Sequence, residues 1–508
     1  MPHLNLRFDY QPLKELSSLK RLLVILFGGI GDLVCLTSSF SAIKRRFPNV
    51  ELYLLTDPLA KEFFPDGIVD KIFVDEVNFE DCSNDLSADD IAVINLHSTN
   101  RSAKLLSAFD NAGLPVYGLL EDNGSLLVRG TIFHDLLHRV FYVRFQDTYI
   151  ANWIMAGRST MFSLCLGITE VEEPKISWIR PERGISEDYI VFVPDANAPT
   201  RRWPLEYWKK LSKIVVDTYG LRPLILGRDR IEGFHPLSIN LSGKTTLSQA
   251  IGYLPGAVAV ISNDTGMIHA AAALGRPVLV LCGPNNVGPE AKGKFLAIRY
   301  PVDCSPCFLS HCESMVCMES LTPDMVKSAL GWLMGKGELD RRLVAGYSWE
   351  QDLSLFYDLH SVWDVPYDST SQVFRNLIRW AWLYALMVEE GLSLEGFAGF
   401  EDYFYQFHRI DVDSLSPLVA SVLERLMTLK GLLLPVREKI GILIRKGGVL
   451  TAEVAYSLDS VLTNVERELV YPWNYMVKQN LRDYEFVIRR VLIRIKSMEG
   501  FLRRYVKK

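Results

Sequence analysis

The sequence predicts an α/β protein made of two doubly wound parallel sheets in series, followed by an α-helical region. Three observations carry this. Short apolar runs alternate with helical periodicity from about residue 21 to residue 335. Several of these runs end in a glycine-containing turn that opens a helix, as parallel α/β units do. Past about residue 340 the strand signals vanish and helical patterns dominate.

The elements follow in order. Residues 21–27, RLLVILF, read as a buried first strand; Gly28 to Asp32, GGIGD, is its turn, and Leu33 to Phe47 a helix stopped before Pro48. Glu51–Leu55, Lys71–Val74 and Ile91–Leu96 are the next strands, residues 80–90 a polar loop, and 131–167 mostly helix. A second set starts with a strand at Tyr189–Val193 and a helix at Pro204–Tyr219. Strands at Pro223–Leu226 and Ile239–Leu241 and a helix at Thr246–Leu254 continue it. Then comes the most informative stretch, AVAVISNDTGMIHAAAALGRPVLVLCGP over residues 257–284. It reads as strand, tight turn, helix and strand, with Asp264 or Thr265 as cap and Gly275 as stop. A helix at Thr322–Met334 closes the set. The expected divisions are residues 1–167, 168–338 and 339–508.

Composition narrows the class. The 508 residues are 49% hydrophobic and 23% charged, as in globular proteins. A net charge of −5 gives no case for nucleic-acid binding. No apolar run reaches the ~18 residues of a membrane span. MPHLNLRFDYQPLKELSSLK lacks the apolar core of a signal peptide, so a cytoplasmic location is expected. Eight cysteines are too few for a disulfide scaffold at this length.

Three motifs carry chemistry. The turn holding Gly28, Gly29 and Gly31 lets backbone approach a ligand, and Asp32 follows it at a helix start, where a plain N-cap role is the alternative. Gly29 to Val34 nearly fits the dinucleotide fingerprint G-x-G-x-x-G, but Val34 occupies the third glycine position, and Asp57 follows the second strand. In PTRRWPLEYW, Pro199 to Trp208, Arg201 and Arg202 offer charge-assisted hydrogen bonds to a diphosphate, or form a solvated basic pair beside a structural Trp203. In the third motif Asp264, Thr265, Gly266 and His269 gather at a helix N-terminus, the end of a parallel unit that binds phosphate.

The order GGIGD, T-R-R-W-P, then SNDTGMIHAAAALGRPVLVLCGP resembles family 9 glycosyltransferases, which include the ADP-heptose:lipopolysaccharide heptosyltransferases. The resemblance covers roughly residues 20–335. It implies a GT-B fold, with two Rossmann-like halves facing across a cleft, acceptor bound by the first and nucleotide-sugar by the second. It implies inverting transfer of a sugar, heptose from ADP-heptose, to a lipopolysaccharide-type, other glycan or protein acceptor, with no cofactor required for catalysis. Asp32 matches the family's general base. Arg201 falls where the family often has a lysine, and Asp264, Thr265, Gly266 and His269 match the donor-binding D-T-G-x-x-H segment. With a lipopolysaccharide precursor as acceptor, the work would be done at the cytoplasmic face of the inner membrane. Two other readings stand beside this: a degenerate relative that binds or assembles glycans, and a Rossmann NAD-dependent dehydrogenase, disfavoured by Val34.

Cys304, Cys307, Cys312 and Cys317 crowd into fourteen residues. Cys-x2-Cys is a metal-ligand start, and four thiols suit a structural zinc or iron; free thiols or a disulfide are the alternatives. Metal bound by cysteines is also a property of the autotransporter-glycosylating branch of the family. The C-terminal region departs from the family. Trp380, Trp382 and Tyr384 read as helix core. Leu481, Tyr484, Ile488, Val491, Ile495, Met498, Leu502 and Tyr505 form an a/d seam. Away from it lie Arg482, Arg489, Arg490, Arg494, Lys496, Arg503, Arg504, Lys507 and Lys508. This helix is expected to pack on its neighbours, with self-association or peripheral membrane contact as alternatives.

Overall fold

A computed structural model describes residues 7–74, 87–143, 158–181, 184–285, 291, 293–302, 304–305, 307, 309–348, 377, 381, 384–392, 412–446, 451, 455, 458 and 481–505. Residues 80–86 of the expected polar loop, residues 144–157 of the expected helical stretch, and Trp380 and Trp382 lie outside the described residues.

The first sheet has seven strands: β1 (Arg7–Tyr10), β2 (Arg21–Ile25), β3 (Glu51–Thr56), β4 (Lys71–Val74), β5 (Ile91–Asn95), β6 (Val116–Asp122) and β7 (Ser125–Gly130). Their spatial order is β1-β7-β6-β5-β2-β3-β4. From β6 through β4 the pairs are parallel, as expected of α/β units. The sheet is not wholly parallel, however. β7 runs antiparallel to β6, and β1 pairs parallel with β7 at the edge. The β6–β7 hairpin turns at Asn123-Gly124, both at positive φ, which is the chemistry of a tight two-residue hairpin. The helices of this half are α1 (Ile30–Arg46), α2 (Asn100–Asn111), α3 (Ile132–Val143) and α4 (Arg158–Cys165). Helix α1 starts two residues before Asp32, with Gly29 as its N-cap, so Asp32 lies inside the first turn and does not cap it.

The second sheet also has seven strands: β8 (Tyr189–Val193), β9 (Arg222–Ile225), β10 (Ile239–Asn240), β11 (Val260–Asn263), β12 (Val278–Leu281), β13 (Phe295–Ile298) and β14 (Val344–Ser348). The order is β10-β9-β8-β11-β12-β13-β14, parallel except for β14. The strands β8, β11 and β12 are buried throughout, as parallel strands covered on both faces must be. The absence of strand signals past residue 340 does not hold, because β14 pairs with β13 and the second sheet runs beyond the expected boundary at 338. Its helices are α5 (Leu205–Tyr219), α6 (Leu247–Gly252), α7 (Gly266–Ala273), α8 (Val316–Glu319) and α9 (Pro323–Leu333). Thr246 closes a capping box with Gln249 at α6, and Thr265 caps α7.

Two long helices follow, α10 (Val412–Arg445) and α11 (Leu481–Leu502), packed on one another. The expected seam is buried where it is described: Ile488, Val491, Ile495, Met498 and Leu502. The basic face is divided. Arg489, Lys496, Arg503 and Arg504 are exposed, whereas Arg490 and Arg494 are buried. Arg494 donates to Glu389 Oε2 at 2.8 Å, and Arg490 Nε donates to Glu389 Oε1 at 2.7 Å and Nη2 to Glu390 at 2.5 Å. Glu390 also accepts from the backbone N–H of Ile132 at 3.1 Å, the first residue of α3, and from Tyr10 Oη at 3.3 Å. The Arg490 guanidinium lies 4.3 Å from the centre of the Tyr10 ring. Helix α11 is therefore tied to the first sheet through a buried network of charges. Burial pushes the Glu390 carboxyl upward, and Arg490 opposes that shift.

A buried carboxylate that loses its countercharge is costly. Arg490→Met should lower stability by about 3–5 kcal/mol, read as a fall in the urea midpoint with an unchanged slope. A midpoint within error of wild type would mean that Glu389 and Glu390 reach water.

Candidate active site

The site forms where the first turn of α1 meets the first turn of α7. A Cβ on Gly266 would stand 2.6 Å from Ile30 Cβ and 2.9 Å from Gly31 N, and one on Gly31 would stand 2.8 Å from His269 Cδ2. Both contacts require residues without side chains. Gly31 of the first motif and Gly266 of the third thus meet at one junction. Gly28 lies beneath Asp32, whose Oδ2 would be 2.9 Å from any Cβ added there. Gly29 is exposed.

Asp32 is about a fifth exposed and ion-paired to Arg158 at the start of α4. Sequence reasoning missed Arg158, which belongs to none of the three motifs. Helix α4 packs on α1 and brings it there. His269 contacts α1: its Nδ1 is 3.6 Å from Cys35 Sγ. Burial first, and the Arg158 charge second, pull the His269 imidazole down to about 3, so it is neutral at pH 7.

On the other side of the third motif, Asp264 accepts from Asn285 Nδ2 at 2.7 Å and pairs with Arg201 at 3.3 Å. Asn263 is fully buried and acts as a bracket. Its Oδ1 accepts from Trp203 N at 3.1 Å and its Nδ2 donates to Pro194 O at 2.6 Å. It therefore fixes the Arg201-Arg202 turn to the ends of β8 and β11. Trp203 is buried and donates through Nε1 to Leu321 O. Arg202 is exposed and donates to Ala196 O at 2.8 Å, which braces its own loop. The Thr265 hydroxyl is 3.1 Å from Ser262 Oγ and accepts from Met267 N at 3.3 Å. Asp57 is held elsewhere, in an ion pair with Arg101 at 3.3 Å.

The cysteine loop folds under Gly283-Pro284, through Cys307 N to Pro284 O at 3.0 Å and Ser305 Oγ to Gly283 O. Thr200 Oγ1 donates to Leu309 O at 2.9 Å, joining the loop to the arginine turn. Burial raises the Cys317 thiol, and the nearby Cys307 and Cys304 raise it further. Cys304 and Cys312 are exposed, and Cys312 Sγ donates to Ser314 O at 3.1 Å. Among the described residues, no group of three or more His, Cys, Asp or Glu side chains is set to hold a metal ion.

Polar groups also gather at the ends of β5 and β6. His138 Nδ1 is 2.8 Å from Ser98 Oγ, and its Nε2 accepts from Leu119 N at 3.1 Å. Burial lowers His138 and His134 to about 3 and His97 to about 4, Arg101 adding to the last.

These arrangements gather the motif residues of both halves at the junction of α1 and α7, and part of the chain is similar to known proteins. Residues 155–314 match glycosyltransferase family 9 (heptosyltransferase). A 110-residue segment is 32% identical to the lipooligosaccharide heptosyltransferase 2 of Haemophilus influenzae, covering 19% of this chain and 32% of that protein. Another of 110 residues is 34% identical to the lipopolysaccharide heptosyltransferase 2 of Escherichia coli, covering 19% and 31%. The chain thus spans about a third of the length of the curated relatives it matches. Among solved structures, the family 9 glycosyltransferase of Veillonella parvula has a TM-score of 0.45 at 17% identity, over 63% of this chain and 98% of its own. The E. coli ADP-heptose lps heptosyltransferase II has a TM-score of 0.44 at 19% identity, over 62% and 98%.

The buried histidines set a pH dependence. His97, His134, His138 and His269 have folded-state values of about 3 to 4, below the unfolded value of about 6.5. Between these limits the unfolded chain binds more protons. Stability is therefore full above pH ~6.5 and is lost as pH falls toward 4, by up to ~1.4 kcal/mol per pH unit for each histidine. Urea midpoints at pH 7.5, 6 and 5 should fall steadily; a flat series would place the imidazoles in water.

Proposed function

We propose that the chain is an inverting glycosyltransferase of the GT-B type. It moves a sugar, heptose from ADP-heptose, to a hydroxyl of a lipopolysaccharide-type or other glycan acceptor, with no metal in the catalytic step. The observation that carries this reading is the meeting of α1 with α7, which sets Asp32 beside the D-T-G-x-x-H helix.

In the step itself, the acceptor oxygen attacks the anomeric carbon from the face opposite the leaving group. The bond from that carbon to the diphosphate oxygen breaks. The acceptor proton passes to the Asp32 carboxylate, and the electron pair leaves with the nucleoside diphosphate. Arg201 exchanges Asp264 for the diphosphate, and Arg202 adds its charge from the exposed side of the turn. Asp264 holds Arg201 ready in the free protein. Thr265, Gly266 and His269 shape the donor end of the helix, His269 as a neutral ring. A lipopolysaccharide precursor would bring the enzyme to the cytoplasmic face of the inner membrane as a peripheral protein.

Asp32→Asn should lower kcat by ~10²-fold or more with donor affinity nearly unchanged, because the base acts only as the proton leaves. Asp57→Asn is the control, since Asp57 is already paired with Arg101. Substantial turnover in Asp32→Asn with loss in Asp57→Asn would move the base. A thermal-shift screen with ADP-, GDP-, UDP- and CDP-sugars and NAD checks the donor: a ligand at a hundred times its Kd adds ~2.7 kcal/mol. Stabilisation by NAD alone would sink the reading.

The reading includes a structural zinc or iron on Cys304, Cys307, Cys312 and Cys317. Its support is the proximity of Cys317 to Cys304 and Cys307; to complete the set, Cys312 would have to leave Ser314. Elemental analysis of protein purified without chelator should find near-stoichiometric metal, lost in Cys304→Ser/Cys307→Ser. Metal-free wild type with four titratable thiols would refute it.

A further inference from the structure

The Arg158 guanidinium is ion-paired with the Asp32 carboxylate. Arg158 begins α4, which packs on the same helix α1 that carries Asp32. Asp32 stands in the first turn of α1, where a carboxylate is ordinarily drawn to the helix's own free N–H groups. The cap of α1 is Gly29, with no side-chain hydrogen bond. The carboxylate is instead ion-paired with a residue of another helix, close above Gly28.

We propose that Arg158 is a positioning residue for the proposed base. It keeps the Asp32 carboxylate ionised and directed into the junction between α1 and α7. This role rests on the glycosyltransferase reading of the site.

The surroundings favour this division of labour. From α4 comes Arg158; from α7 comes His269; α1 itself offers Cys35, turned toward His269. The turn at Pro58–Glu62 also packs on α1, with Lys61 exposed and Glu62 accepting from Ser248 N. Arg201 is committed to Asp264. His269 would be a natural second partner for Asp32, but its burial and the charge of Arg158 keep it neutral. A neutral imidazole neither competes for the carboxylate nor places a second positive charge beside it. An opposite charge in contact lowers a carboxyl by about one to three pH units. A guanidinium also presents a planar fork of donors, where lysine presents only a point charge.

The test is the pH profile of kcat/KM for wild type, Arg158→Lys and Arg158→Met, with donor Kd measured alongside. It is paired with a double-mutant cycle of Arg158→Met and Asp32→Asn read by unfolding midpoints. The acidic limb should move up by about one pH unit or more in Arg158→Met, with Arg158→Lys restoring most of that shift and donor Kd unchanged. The two substitutions should also be non-additive in the midpoints. Additive midpoints overturn the pairing, whatever the activity. Non-additive midpoints with an unmoved limb overturn the positioning role and leave a structural ion pair. A folded wild type with no turnover of any nucleotide-sugar fails the glycosyltransferase reading itself. The positioning role of Arg158 falls with it, even where the midpoints couple.

Discussion

Everything in the site depends on how closely two helix N-termini can approach. At Gly31 and Gly266 the backbones of α1 and α7 come within the reach of a single methyl group. A side chain at either position would push the two helices apart and with them the two sheets. The small residues after Gly266, Ala270 to Ala273, let α7 lie close on its own sheet as well. Sequence composition here acts as a spacing rule. Small residues permit close approach, and close approach places Asp32 and His269, about 240 positions apart in the chain, at one junction.

The C-terminal helices serve the same geometry from outside. Glu390 takes the free N–H at the start of α3, a helix whose His138 ties the ends of β5 and β6 together. The carboxylate is favourable there for two reasons: it meets an unsatisfied donor, and it faces the positive end of the helix. Arg490 and Arg494 then neutralise the two glutamates through buried hydrogen bonds. The basic helix is thereby an internal brace for the first sheet rather than only a charged outer face.

Much of this was legible in the sequence, for stated reasons. The strands β2, β3, β4, β5 and β8 are short apolar runs closed by turn residues, and period and punctuation agree there. The motif residues Asp32, Arg201, Asp264 and His269 were visible because polar groups at strand ends stand out from apolar runs. The Asn123-Gly124 hairpin carried its turn signal in plain sight, yet Val116–Asp122 and Ser125–Gly130 do not alternate cleanly because most of their residues are buried on both faces. Strands β13 and β14 were hidden for a similar reason. Phe295–Ile298 is only four residues long, and Val344–Ser348 holds an alanine, a glycine and a serine. The pairings of Arg158, Arg490 and Arg494 could not be found by local pattern. Their partners are 126, 101 and 105 residues away, and arginine on a helix reads as solvated unless a distant carboxylate is known to meet it.

The dinucleotide reading of Gly29 to Val34 can be weighed on the same physical terms. That fingerprint works because the helix N-terminus is open to a pyrophosphate and because its third glycine lets the helix lie against its strand. Here the third position is Val34, 1% exposed and packed into the core. The N–H of Gly31 is faced by Gly266 of α7, so a pyrophosphate on that amide would have to displace the helix that completes the junction. Asp57, the acidic residue after the second strand, is engaged by Arg101, whose guanidinium also lies 4.1 Å from the centre of the Phe27 ring. Gly31, the second glycine of that near-match, serves in space as a bearing surface between two helices. A turn used that way favours a ligand gripped between two sheets over one laid along a single sheet.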